Sequence, residues 1–327
     1  MLLFMPVLHT EAKENIVIVI DPGHGGENLG GEYQSYTEKN MTLVTAKAMK
    51  ERLEQFEGVS VYLTHNNTTD PDLTRAQRAD FAKSVNADFM FSIHYNKSIS
   101  GRLFGAEVWT SAFGQYYTKG ASFAQIELQA LSDMGIYSRG VKTRLGTNGN
   151  DYYGIIKNAR KNQIPCVIIE HCHMDQKNDF SFYRDENALQ NLGILDAECV
   201  AKYFQLKSVS LQEDYSNYKV PKVKATGKVM QPDLTPPDAV SVEVSSLDVS
   251  DNVLNLSVTA KDSQSLLIYY DISSDGGKTF SDLHAFDRLT NQMVLSLPYQ
   301  SYKNKQVVVR VYNQYDLFTA STPNLIP

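Results

Sequence analysis

Cysteine is scarce in this 327-residue chain: Cys166, Cys172 and Cys199 are an odd set of three with no CxxC spacing. That argues against a disulfide scaffold and against a cysteine-built zinc knuckle. Cys166 lies in an apolar run and Cys199 in a helical pattern, so both read as small core residues. A dense basic tract is also missing. The formal net charge is -6 and the isoelectric point near 5.7, which points away from nucleic acid and leaves any binding to an anionic polymer to local, specific contacts. No apolar stretch is long enough to cross a bilayer, and there is no internal repeat or low-complexity tract. Residues 1–13 are apolar at their start, with no basic residue ahead of Met1–Leu8. They read either as the remnant of a secretory signal or as a start without fixed structure.

What is present is ordinary globular material, 42% hydrophobic and 21% charged, in a chain long enough for two domains. From residue 14 to 206 short apolar runs alternate with helical periods. Ile16–Ile20, Val59–Leu63, Phe89–Ile93, Ala106–Thr110 and Ile164–Ile169 predict strands, and Tyr153–Ile156 a further short one. Helices are expected from Met41 to Glu57, along Leu73–Val85, from Gln115 to Met134 and from Glu186 to Phe204. The expectation is an α/β fold, a twisted sheet flanked by helices. Periodicity fades over 207–234, which reads as a linker. Residues 235–327 turn to period-two alternation, as in Val240, Val242 and Val244, with a tight turn at Asp275-Gly276-Gly277. An antiparallel β-sandwich of immunoglobulin or fibronectin type III kind is expected there. It shows no aromatic platform for sugars and reads as a spacer or contact module.

Three ionisable groups fall where strands of the α/β sheet should end: His24 in Asp21-Pro-Gly-His-Gly-Gly26, His94 in Ser92-Ile-His-Tyr-Asn96, and Glu170 after Val167-Ile-Ile169. Glu38, just ahead of the first helix, is a fourth. Ligands of open α/β sheets bind beyond the carboxyl ends of strands. A histidine at one strand end is commonly a structural hydrogen-bonder, and a glutamate before a helix commonly complements its dipole; the set carries the signal. Two histidines and one carboxylate with an open position form the ligand set of a catalytic zinc, and a further carboxylate off the metal can serve as general base.

Asp21–Gly26, Glu38 with Lys39 and Asn40, Leu73-Thr-Arg-Ala76, Ser92–Asn96 and Glu170 together resemble the zinc-dependent N-acetylmuramoyl-L-alanine amidases, over roughly residues 14–206. The resemblance implies a sheet of about six strands, one Zn2+ held by His24, Glu38 and His94, and Glu170 as the catalytic carboxylate. It implies a secreted or wall-associated autolysin-type hydrolase acting on peptidoglycan at the amide between N-acetylmuramic acid and L-alanine. Two departures touch substrate detail. His171-Cys-His-Met-Asp-Gln176 replaces the family's glycine, aromatic and asparagine, and Tyr95 replaces a small residue. Asn96 and Arg75 are expected to be structural or positioning groups, and His171 and His173 structural residues that could also support the ligands, contact substrate or hold a second metal. The rival readings are a zinc peptidase acting on stem peptides and a wall-binding protein without chemistry.

Overall fold

The computed structural model describes residues 15–327, so the reading of residues 1–13 lies outside the described residues. Six strands form the central sheet: β1 (Ile16–Pro22), β2 (Val59–Leu63), β3 (Phe89–Asn96), β4 (Ala106–Thr110), β5 (Ser138–Lys142) and β6 (Cys166–His173). Their spatial order is β2-β1-β3-β6-β4-β5. The first four are mutually parallel, β4 runs antiparallel to β6, and β5 is parallel to β4. Helices α1 (Glu38–Leu53), α2 (Arg75–Ser84), α3 (Gly114–Met134), α4 (Gly154–Lys161) and α5 (Glu186–Phe204) accompany them.

The middle strands are apolar on both faces because both are covered. Ile18, Ile20, Phe89, Phe91, Val167 and Ile169 pack toward α1, α3 and α5, while Val19, Met90, Cys166 and Ile168 pack toward α2 and α4. Such two-sided burial suits continuous β-branched runs. The expected α/β class therefore holds. None of the helices among the described residues is long and apolar enough to cross a membrane.

Three sequence expectations shift. Tyr153–Ile156 is not a strand: Ile155, Ile156 and Ala159 are the buried side of α4, and four apolar residues alone cannot distinguish the two periods. The first helix begins at Glu38, after Thr37 at its cap, rather than at Met41. Strands β3 and β6 run on through His94 and Glu170, so both groups stand within strands rather than beyond them.

In the C-terminal region, β7 (Ala239–Asp248), β8 (Val253–Lys261), β9 (Leu267–Ser273), β10 (His284–Ala285), β11 (Gln292–Pro298), β12 (Gln306–Asn313), β13 (Phe318–Ala320) and β14 (Asn324–Leu325) form two antiparallel sheets. Leu254, Leu256 and Leu295 of one sheet share a core with Val307, Val309 and Val311 of the other, which makes the region a sandwich.

The sandwich is fastened to the α/β part. Phe104 packs with Ile268, Tyr269, Leu283 and Tyr312 in one apolar cluster. Arg102 Nη2 meets Asp271 Oδ2 at 2.7 Å. Arg139, 2% exposed, donates to Glu107 at 2.6 Å, to the Tyr269 hydroxyl at 2.9 Å and to Asp316 at 2.8 Å. Glu107 also takes Lys142 at 2.6 Å. Burial alone would raise the Glu107 carboxyl, but the charges of Lys142 and Arg139 hold it well below its usual range. Arg139→Ala removes one partner from this buried network, so chemical denaturation should register a loss of roughly 3–5 kcal/mol; a loss under about 1 kcal/mol would contradict it.

Candidate active site

His24, Asn28, Glu38, Arg75, His94, Asn96 and Glu170 line one cavity of about 530 Å³. Glu38 is its hinge. As the first residue of α1 it sits where a carboxylate complements the helix dipole. Its Oε2 accepts from the Gly31 N–H at 2.8 Å and its Oε1 from the Tyr95 N–H at 3.2 Å. Glu38 Oε2 is 2.9 Å from His24 Nε2, and Oε1 is 2.8 Å from His94 Nδ1. The two imidazoles meet edge to face, 5.1 Å between centroids. Burial opposes ionisation of Glu38, but the hydrogen bonds and charges of His24 and His94 override it and hold the carboxyl far below its usual range. Burial likewise pulls His24 down, yet the bond to Glu38 and its charge leave the ring above 6.5.

The His24 loop is strained into place. His24 itself has φ 68°, an uncommon value for a residue with a side chain. Its carbonyl accepts from Arg78 Nη2 at 2.6 Å, and Arg78 Nη1 also reaches Asp21 Oδ1 at 2.8 Å and the Pro22 carbonyl at 2.7 Å. Asp21 is completed by the hydroxyls of Thr64 and Ser92. On the ring, Nδ1 faces Asn28 Oδ1 at 3.1 Å, and Asn28 Nδ2 donates to Asp72. Asn28 thus presents its oxygen, Nδ1 carries the proton, and the Nε2 lone pair is left for the cavity. Gly23 and Gly30 leave room for the imidazoles: a Cβ on Gly23 would stand 2.4 Å from the His94 ring, and one on Gly30 2.5 Å from His24 Cδ2.

Glu170 stands beside His94 across the parallel pair β3–β6, in direct register with it. Its Oε2 is buried with no hydrogen-bond partner among the described residues. Burial, then the charges of Glu38 and Glu107, push its carboxyl well above the ordinary value. A carboxyl held in this way has the raised proton affinity that suits a group exchanging protons in a reaction.

His24, Glu38 and His94 each bring one donor atom, and these lie within 4.8 Å of one another. Two imidazoles and one carboxylate, with the cavity on the remaining side, fit a tetrahedral zinc that keeps an open position.

The other sequence candidates separate. Arg75 lines the cavity from the first turn of α2. Asn96 also lines it, its amide turned to Glu107 Oε1 at 3.1 Å. His171 and His173 are buried away from it: His171 faces Asp196, and His173 faces the Gly105 carbonyl at 3.1 Å. Burial, reinforced by Arg139, takes His173 down to about 3. The Tyr95 ring points into the core, stacked on His171 at 5.3 Å, with its hydroxyl 2.5 Å from Thr45 Oγ1. The residue that sequence reading passed over is Arg78, three positions after Arg75; the only signal for it is the burial side of α2, marked by Ala79 and Ala82.

A family model described as N-acetylmuramoyl-L-alanine amidase matches residues 18–202. The chain is 28% identical over 192 residues to the N-acetylmuramoyl-L-alanine amidase CwlM of Bacillus licheniformis, covering 58% of this chain and 70% of that one. It is 27% identical over 196 residues to the sporulation-specific N-acetylmuramoyl-L-alanine amidase of Bacillus subtilis, covering 60% and 71%. Among solved structures, the catalytic domain of the amidase CwlV from Bacillus (Paenibacillus) polymyxa var. colistinus superposes with a TM-score of 0.50 at 25% identity, covering 59% of this chain and 99% of that one.

Gly30 has φ +72° and stands against both His24 and Glu38. Gly30→Ala should keep its far-UV circular dichroism while zinc titration shows affinity down roughly 10–100-fold; unchanged affinity would mean that the two side chains do not meet at one ion.

Proposed function

The chain belongs to the N-acetylmuramoyl-L-alanine amidase family, and from that membership we propose that it hydrolyses the amide joining N-acetylmuramic acid to L-alanine in peptidoglycan, using one zinc ion. The observation that carries the proposal is the convergence of His24, Glu38 and His94 on a single point, with Glu170 beside it and turned to the same cavity. His24, Glu38 and His94 would hold the ion. When bound, zinc polarises the scissile carbonyl and lowers the pKa of a coordinated water toward ~7.

The residues of the chain divide the remaining work. Glu170 takes the proton of the attacking water and passes it to the departing nitrogen of L-alanine. Its burial keeps the proton affinity of the carboxylate high enough for both transfers. Asn28 and Arg78 hold His24 in the tautomer and backbone conformation that ligation needs. The open side of the cavity accommodates a polymer rather than a small closed-in substrate. The site suits action at the cell wall, and we read the sandwich as immunoglobulin or fibronectin type III-like, held in a fixed place beside the catalytic part.

Glu170→Gln should retain zinc and lose peptidoglycan-lytic rate by roughly 10²–10⁴-fold; near-full activity would remove Glu170 from the reaction. Mass spectrometry of the products should show intact stem peptides with a free L-alanine amino terminus, whereas L-alanine left on the glycan would identify a peptidase.

Zinc uptake has a pH signature. A metal must displace the proton that the metal-free His24 ring retains above 6.5. Apparent affinity of chelator-treated protein should therefore fall about tenfold per pH unit as pH drops below that ring's titration point, and be flat well above it. A profile flat down to about pH 5 would count against His24 as a ligand.

A further inference from the structure

A second convergence of ionisable groups lies in the core. Glu127 comes from α3, His171 from β6 and Asp196 from α5, and all three are 0% exposed. Each brings one donor atom, and these atoms lie within 4.8 Å of one another. His171 follows Glu170 in the strand, so its side chain leaves from the opposite face and takes no part in the cavity.

The imidazole orientation is informative. His171 Nδ1 stands 3.3 Å from the His94 carbonyl oxygen, which can only accept, so Nδ1 carries a proton. In the neutral ring Nε2 is then a lone pair, yet it faces both Asp196 oxygens at 2.9 and 3.0 Å. A lone pair against a carboxylate is repulsive unless a proton or a metal ion stands between them. The contact is of the same kind as the His24–Glu38 and His94–Glu38 pairs. Glu127 supplies an independent observation: among the described residues neither of its side-chain oxygens has a hydrogen-bond partner, although both are fully buried. An unpaired buried carboxylate is among the costliest groups a core can hold. Burial and the charge of Asp196 raise the Glu127 carboxyl well above its ordinary value, so without an ion a proton held against Asp196 supplies the positive charge. A cation shared by the three would satisfy every one of them. Two carboxylates and a neutral imidazole sum to a charge that one divalent ion cancels, and the imidazole selects a first-row transition ion over magnesium or calcium.

We propose that Glu127, His171 and Asp196 bind a second, structural divalent transition-metal ion, zinc by preference, that ties α3 and α5 to β6. It sits behind the His94 strand and takes no part in hydrolysis. The His171 Nδ1–H to the His94 carbonyl links the two sites mechanically.

Elemental analysis of the full chain, expressed with zinc and dialysed against dilute chelator, tests this. The wild-type protein should carry about two equivalents and the His24→Ala/His94→Ala double variant about one. One equivalent in the wild type and none in the double variant overturns the buried site while leaving the catalytic reading intact. One equivalent in both supports the buried site and sinks the catalytic one. Glu127→Gln, which keeps shape and removes a charge, should lose one equivalent, lower the thermal midpoint and keep the other equivalent; two equivalents in that variant would overturn the proposal. The metal count of the double variant decides the matter even if Glu127→Gln does not fold.

Discussion

Glu38 is a buried carboxylate pinned between two imidazoles, and the surrounding chain is organised to keep that charge where it is. Its position at the start of α1 brings the positive end of a helix and two backbone N–H groups to it. The imidazoles arrive from different directions, one on a loop in a left-handed conformation and one on a central strand. Such a loop keeps its shape only because Arg78 grips three carbonyl or carboxylate partners along β1 and the turn after it. The sheet core, rigid and covered on both faces, supplies the fixed frame against which these short distances hold.

A different arrangement of buried charge joins the two halves of the chain. Glu107 lies opposite Glu170 on the neighbouring strand β4. It is neutralised by Lys142 and Arg139, and Arg139 is in turn held by Asp316 and Tyr269 of the sandwich. The polar environment next to Glu170 thus depends on Tyr269 and Asp316, far along the chain in the sandwich. Burying three charges together is tolerable because Glu107 and Arg139 are each paired more than once and Lys142, paired with Glu107, lies over the rings of Trp109 and Tyr315.

Much of this was legible in the order of residues. The runs Ile16–Ile20, Phe89–Ile93 and Ile164–Ile169 read as two-sided strands, and the attention to His24, His94 and Glu170 near their ends followed from that. The alternation of Val240, Val242 and Val244 marked the antiparallel sheets. Other features were not legible, for physical reasons. Ser138–Lys142 contains Ser, Arg and Lys and looks like surface, because the counter-charge that allows its burial, Glu107, sits on another strand. Arg75 and Arg78 are three residues apart on one helix, and only the packed structure tells which turns inward. His171 seemed a neighbour of the cavity because it adjoins Glu170, yet strand alternation sends it the other way. Tyr153–Ile156 was too short to reveal its period.

The fastening of the sandwich bears on how such enzymes are recombined. Here a cut near residue 206 would strip the cover from Phe104 and Tyr137 and release Arg139 from two of its anchors. The α/β part and the sandwich therefore exchange as one unit, and a chimera that preserves their junction keeps Phe104 covered and Arg139 paired.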